Sequence, residues 1–248
     1  MAEVWQAILE LADDHLVLGH RLSEWCGHAP MLEEDLALAN LGLDCLGTAR
    51  TLYALAGEME GAGRSEDDLA YLRDARDWRN CLLVEQEGDF ALTMLRQLHF
   101  AALMHPFWEA ASQSADETVR GVAGKAVKEM RYHIRHAGEW VVRLGDGTEE
   151  SARRMRDAVE RLAPLVPELF ESSEAARAAE AAGVLPERGA MRAAHDAVLA
   201  EVFAEAGLEA PEVPFPRSGG RAGRHGEALG HMLAVMQSVH RQHPGATW

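Results

Sequence analysis

KEMRYHIRHAGEWVVRLGDG, residues 128–147, is the stretch on which the fold turns. Around it, Ala123, Val127, Met130, Ile134, Ala137, Val141 and Leu144 follow one another in alternate steps of four and three, which lines them up along one side of an α-helix. Gly145-Asp146-Gly147 ends that helix, and Thr148 is placed to cap the next. The same three- and four-residue steps recur along the chain, while alternating Val/Ile/Thr-rich strand runs are missing. The pattern predicts an all-α protein.

Outward from this helix, breaks at Gly27 and Ala29-Pro30, at Gly61-Ala62-Gly63, at Glu87-Gly88-Asp89 and near Ser114 divide the first part of the chain. They leave helices over about 4–25, 31–60, 66–86, 90–113 and 115–144. The 31–60 helix has two stripes: Leu32, Leu36, Ala39, Leu43 and Leu46, and on another side Leu38, Leu41, Cys45, Leu52 and Leu55. A helix apolar on more than one side is expected at the centre of a bundle. Pro164 and Pro167 interrupt a later helix, Pro186 can open another, and a final one covers about 226–241. Residues 207–224 hold three prolines and several glycines and predict a long loop. The expectation is one domain over 1–248, with a core bundle at about 4–145 and accessory helices with the long loop over 148–248.

Composition narrows the function. With 40 acidic against 24 basic residues the formal charge is −16, which opposes binding to nucleic acid or to an anionic membrane surface. No apolar run nears the roughly 20 residues that span a bilayer, and the opening MAEVWQAILELADDH lacks the basic start of a secretory leader. A cytoplasmic location is expected. Cys26, Cys45 and Cys81 are far apart and never form a CxxC pair, so reduced, packed thiols are the plain reading.

Bundles host chemistry in their cores. Ferritin-like di-iron centres take one Glu from each of two helices and a Glu-x-x-His pair from each of the other two, because that step aims both ligands at one metal. Three residues before each of the 12 histidines, however, stand only Ala, Val, Trp, Arg, Met, His and Gln. Glu129 lies four residues before His133, a spacing that also shares a face, but no Glu-x-x-His pair stands in the chain to be its twin. On the 31–60 helix Asn40, Asp44 and Thr48 form a polar line with one carboxylate. Asp14 and Glu85 are the other acids within reach of a core. A buried carboxylate needs a partner, so an Asp44-centred polar cluster, holding the helices in register without metal, is the reading for this site, and His133 reads as a satisfied core or edge histidine. His136 and the His240/His243 pair read as edge or surface histidines. Signatures of hydrolases, P-loops and dinucleotide folds are missing.

Four stretches carry a family likeness: LGHRLSEWCGHAPMLEEDLALANLGLDCLGTAR (18–50), RNCLLVEQEGDFALTMLRQ (79–97), KAVKEMRYHIRHAGEWVVRLGDGTEES (125–151) and EALGHMLAVMQSVHRQHPGATW (227–248). Together they resemble the PaaC family of phenylacetic acid degradation proteins over almost the whole chain, least in 170–215. The resemblance implies a ferritin-like fold and the role of non-catalytic subunit in a ring-1,2-phenylacetyl-CoA epoxidase. In that system a PaaA-type subunit holds the di-iron centre, and a small PaaB-type subunit and an iron–sulfur, FAD-containing reductase using NADPH complete the assembly. No cofactor is implied for this chain, and self-association is. Beside the KEExFH-like ligand stretch of the catalytic relative, KEMRYH has Met130 in place of the second glutamate and keeps His133. Beside the DExxH-like stretch, LDCLGT has Cys45 and Thr48 in place of Glu and His. Asp44, Cys45, Thr48, Glu129, Met130 and His133 are therefore the candidates for a degenerate metal site. The alternative is an autonomous di-iron or manganese oxidase with an irregular ligand set.

Overall fold

The computed structural model describes residues 3–246. Its long helices are α1 (Val4–Ser23), α2 (Leu32–Glu60), α4 (Phe90–Ala111) and α5 (Glu117–Gly145), with the short α3 (Glu66–Tyr71) between the two pairs. There follow α6 (Glu149–Leu162), α7 (Glu174–Ala181), α8 (Arg192–Ala206), α9 (Glu227–Met236) and α10 (Ser238–Gln242), linked by short 3-10 turns. No strand occurs among the described residues. α1 packs along α2, α4 packs along α5, and α2 meets α5, which makes an all-α, ferritin-like bundle. α6 and α8 cover α4 and α5 from outside, and α7 lies on α1. Among the described residues no helix is long and apolar enough to cross a membrane.

The expected helix starts are chemical. Asp89, Asp116 and Thr148 each accept a hydrogen bond from the backbone N–H three residues on, Leu92, Val119 and Ser151, at 3.1, 2.9 and 3.2 Å. At the end of α2, Gly57 lies against the carbonyl of Arg64: a Cβ there would stand 2.4 Å from that oxygen. Gly57→Ala is expected to lower stability by roughly 1–3 kcal/mol through overpacking. Thermal unfolding checks this, and an unchanged Tm would show that the 61–65 turn yields freely.

Two expectations are corrected. The first is the helix over 66–86, of which only Glu66–Tyr71 forms. Residues 72–89 run mostly without helix because carboxylates from distant elements take their backbone N–H groups. Asp13 accepts from Arg79 N at 2.8 Å, Asp14 from Cys81 N at 2.8 Å, and Glu168 from Leu82 N at 2.6 Å. The second concerns α2. Its stripe of Leu38, Leu41, Cys45 and Leu52 is buried, but Leu32, Leu36 and Leu43 are 71%, 58% and 64% exposed. The helices buried on all sides are α1, from Ala7 to Gly19, and α4, from Ala91 to Met104.

The inner face of α1 carries acids that the rest of the chain neutralises. Glu10 pairs with Arg188 at 2.9 Å, Asp13 with Arg73 and with the Tyr53 hydroxyl at 2.6 Å, and Asp14 with Arg221 at 2.7 Å. Glu168 accepts from Gly219 N and Gly220 N, both at 2.7 Å, and so pins the long loop onto the bundle. Glu85 accepts from Gly226 N at 2.8 Å and faces the His225 ring at 3.0 Å.

Candidate functional site

The polar cluster lies where the four long helices face one another. α5 brings in His133, fully buried, because that position falls one turn from Met130 on the same inward face. α4 supplies Gln97, whose Nε2 donates to His133 Nδ1 at 2.9 Å. With Nδ1 accepting, the neutral ring carries its proton on Nε2, and that nitrogen donates to Asp44 Oδ2 of α2 at 3.3 Å. His133 is thus a bridge from α4 to α2. One turn earlier on α5, Glu129 pairs with Lys125 at 2.7 Å. A turn further on, His136 bonds Glu34 of α2 at 2.8 Å and stacks on Tyr132.

Asp44 and Glu129 stand close enough to share a proton, and their environments separate them. Burial works against the Asp44 charge, but the bonds from His133 and Glu129 and the nearby Lys125 charge prevail and hold its carboxyl below the ordinary range. Burial raises Glu129, and the Asp44 charge raises it further against the pull of Lys125. The bond to Glu129 in turn holds Lys125 charged above its usual range. Glu129 is therefore the member of the pair that takes up a proton first as pH falls.

The remaining candidates close the cluster with groups of another kind. Cys45 is fully buried, and burial next to Asp44 and Glu129 pushes its thiol far up, so it stays protonated. Thr48 and Met130 are buried as well. This set does not fit a di-iron carboxylate centre, which needs several anionic oxygens around each metal. A thioether, a thiol, a hydroxyl and an amide stand at inward positions, and an ammonium occupies Glu129. Among the described residues no group of three or more His, Cys, Asp or Glu is arranged to hold a metal ion. Asp14 and Glu85, the further acids considered from the sequence, are engaged by Arg221 and by Gly226 and lie in the ion-pair layer instead.

Sequence reasoning missed Gln97, Lys125 and His15. Gln97 and its neighbour Arg96 are polar residues inside the helix that is apolar all round, which is the signal for a buried hydrogen-bonded group. Arg96 is buried too, and burial together with the Arg21 charge lowers it to about 9. His15, on α1, donates from Nδ1 to Leu11 O at 2.7 Å and meets the Phe100 ring edge to face at 5.1 Å.

The whole chain, residues 1–248, matches the family described as phenylacetic acid catabolic protein. It is 45% identical over 244 residues to a subunit of the 1,2-phenylacetyl-CoA epoxidase of Escherichia coli K12, covering 97% of each chain. A full-length family match and this level of identity, on an all-α bundle with its polar cluster between the helix pairs, place the chain: it belongs to the phenylacetic acid catabolic protein family.

Proposed function

We propose that this chain is the non-catalytic structural subunit of a multicomponent di-iron monooxygenase that epoxidises the ring of phenylacetyl-CoA. It supports a catalytic PaaA-type subunit, with a small PaaB-type subunit and an NADPH-dependent reductase, in the cytoplasm. Membership of such an assembly rests on the name of the Escherichia coli relative, an epoxidase subunit. The observation that supports a supporting role is the exposed apolar side of α2. Leu32, Leu36 and Leu43 line it, with Met31 before them, and Tyr132 of α5 stands beside the His136–Glu34 bond that joins the two helices. An apolar stripe of this length on the outside of a helical bundle suits burial against another protein chain. The chemistry of the Asp44–His133 cluster favours the same role, since it bridges helices and leaves few ligand atoms free.

Co-expression with the catalytic partner tests the reading. A stable co-purifying complex is expected, with oxygenase turnover only when both chains and the reductase are present. Leu36→Glu combined with Leu43→Glu is expected to lower co-purification at least tenfold while the isolated chain keeps its circular dichroism and Tm, because both side chains face solvent. Turnover by this chain alone, or full activity of the catalytic partner without it, would sink the proposal. His133→Ala is expected to cost the fold about 2 kcal/mol by unpairing Gln97 and Asp44, while turnover per assembled complex stays within about twofold. A selective collapse of turnover in intact complex would instead give His133 a part in the reaction.

A further inference from the structure

A recess of about 420 Å³ opens between α4, α6 and α8 and is edged by residues of the proline-rich segment after α8. Its walls are apolar: Val159, Val166, Leu199, Phe203, Leu208 and Val213. Two buried histidines, His99 of α4 and His195 of α8, also line it. They form a chain with a fixed direction. The Asp196 carboxylate meets His195 Nδ1 at 2.8 Å, and His195 Nε2 meets His99 Nδ1 at 3.1 Å. The ring centroids are 5.3 Å apart and the planes differ by 22°, so the bond between the two imidazoles runs nearly in the plane of both.

The protons follow from this order. A carboxylate only accepts, so His195 Nδ1 carries a hydrogen and donates it to Asp196. In a neutral ring that leaves His195 Nε2 as a lone pair, which takes the hydrogen of His99 Nδ1. His99 Nε2 is then a lone pair in its turn. Burial lowers both histidines below the ordinary imidazole range, which keeps the pair neutral near pH 7.

We propose that this recess binds a small apolar molecule carrying one hydrogen-bond donor, a substituted phenol or aromatic alcohol, whose O–H is given to His99 Nε2. An apolar cavity of roughly 150 Å³ already accepts benzene, so a substituted ring has room. A carboxylate ligand brings only acceptors to a lone pair and loses its hydration among apolar walls, and an ammonium loses its hydration in the same way. The site is independent of the assembly proposed above, because binding is read on the full chain alone.

The probes are 4-ethylphenol and ethylbenzene, which share a shape and differ in the hydroxyl. Calorimetry is expected to give a dissociation constant for 4-ethylphenol about tenfold below that for ethylbenzene, the factor that one net hydrogen bond contributes. Nitrogen-15 NMR is expected to show 4-ethylphenol, and not ethylbenzene, shifting the His99 Nε2 resonance. His99→Phe should abolish the preference. Ala204→Trp, at an exposed lining position where folding is not at risk, should abolish binding of both. No binding up to the solubility limit, equal affinities, an unmoved His99 resonance or undiminished binding to Ala204→Trp each overturns the proposal.

Discussion

Glu168→Gln is expected to lower the stability of the fold by roughly 3 kcal/mol although it changes one atom. The carboxylate is wholly buried and accepts three backbone N–H groups, Leu82 N on Oε2 and Gly219 N and Gly220 N on Oε1. An amide must turn its NH2 toward at least one of these donors. That leaves buried N–H groups facing N–H with no water to take them. The site cannot shift to make room, because a Cβ on Gly220 would stand 2.2 Å from the Asn80 carbonyl. Urea unfolding gives the size of the loss. Amide exchange locates it: Leu82, Gly219 and Gly220 should lose protection before the amides of α4. Equal midpoints for the two proteins would show that Glu168 is not what fastens these segments.

The second large effect is acid destabilisation that begins well above the carboxylate range. His15 is fully buried with Nε2 unpartnered, and burial lowers its pKa from 6.5 to about 4. Its folded value is thus depressed. The unfolded chain binds the proton first as pH falls, so the stabilisation is complete above about 6.5 and is lost on the way down to 4. Between pH 7 and pH 5 this one residue should cost about 2 kcal/mol. His99 and His195 shift in the same direction and add to the loss. Glu129 acts oppositely: its folded value is raised, so its contribution is present at low pH and fades as pH rises through that value. Asp44, depressed, loses its contribution only below the unfolded carboxylate value near 3.8. Urea midpoints at pH 7 and pH 5 should therefore diverge for the wild-type chain, and the gap should narrow by about 2 kcal/mol in His15→Leu. A flat profile between these pH values would mean that His15 is not held neutral.

How far the sequence carried depended on whether a signal was local. The stripe around KEMRYHIRHAGEW placed α5 within two residues, and Ala123, Met130, Ala137 and Val141 are buried along it. Thr148 marked a helix start because capping is settled within four residues. The 66–86 helix failed for the opposite reason. Asp13, Asp14 and Glu168, as many as 86 residues away, claim the N–H groups that a helix there would use. The stripe on α2 was legible, but whether it faces the core or solvent depends on which helices come to lie beside it. In the candidate site, Asp44, Glu129 and His133 were found by their spacing. Gln97 escaped because a search for carboxylate ligands passes over an amide, even where that amide orients the histidine.

The pairing of α1 with late segments bears on how the chain is made. When α1 leaves the ribosome, Glu10, Asp13 and Asp14 have no cations to meet, since Arg73, Arg188 and Arg221 are synthesised later. Arg221 reaches Asp14 across 207 positions. The first helix therefore cannot settle into a dry interior until almost all of the polypeptide has emerged. A prematurely terminated product that stops before residue 219 leaves Asp14 without Arg221 and Glu168 without the Gly219 and Gly220 N–H groups, so it is expected to stay unfinished and open to proteases.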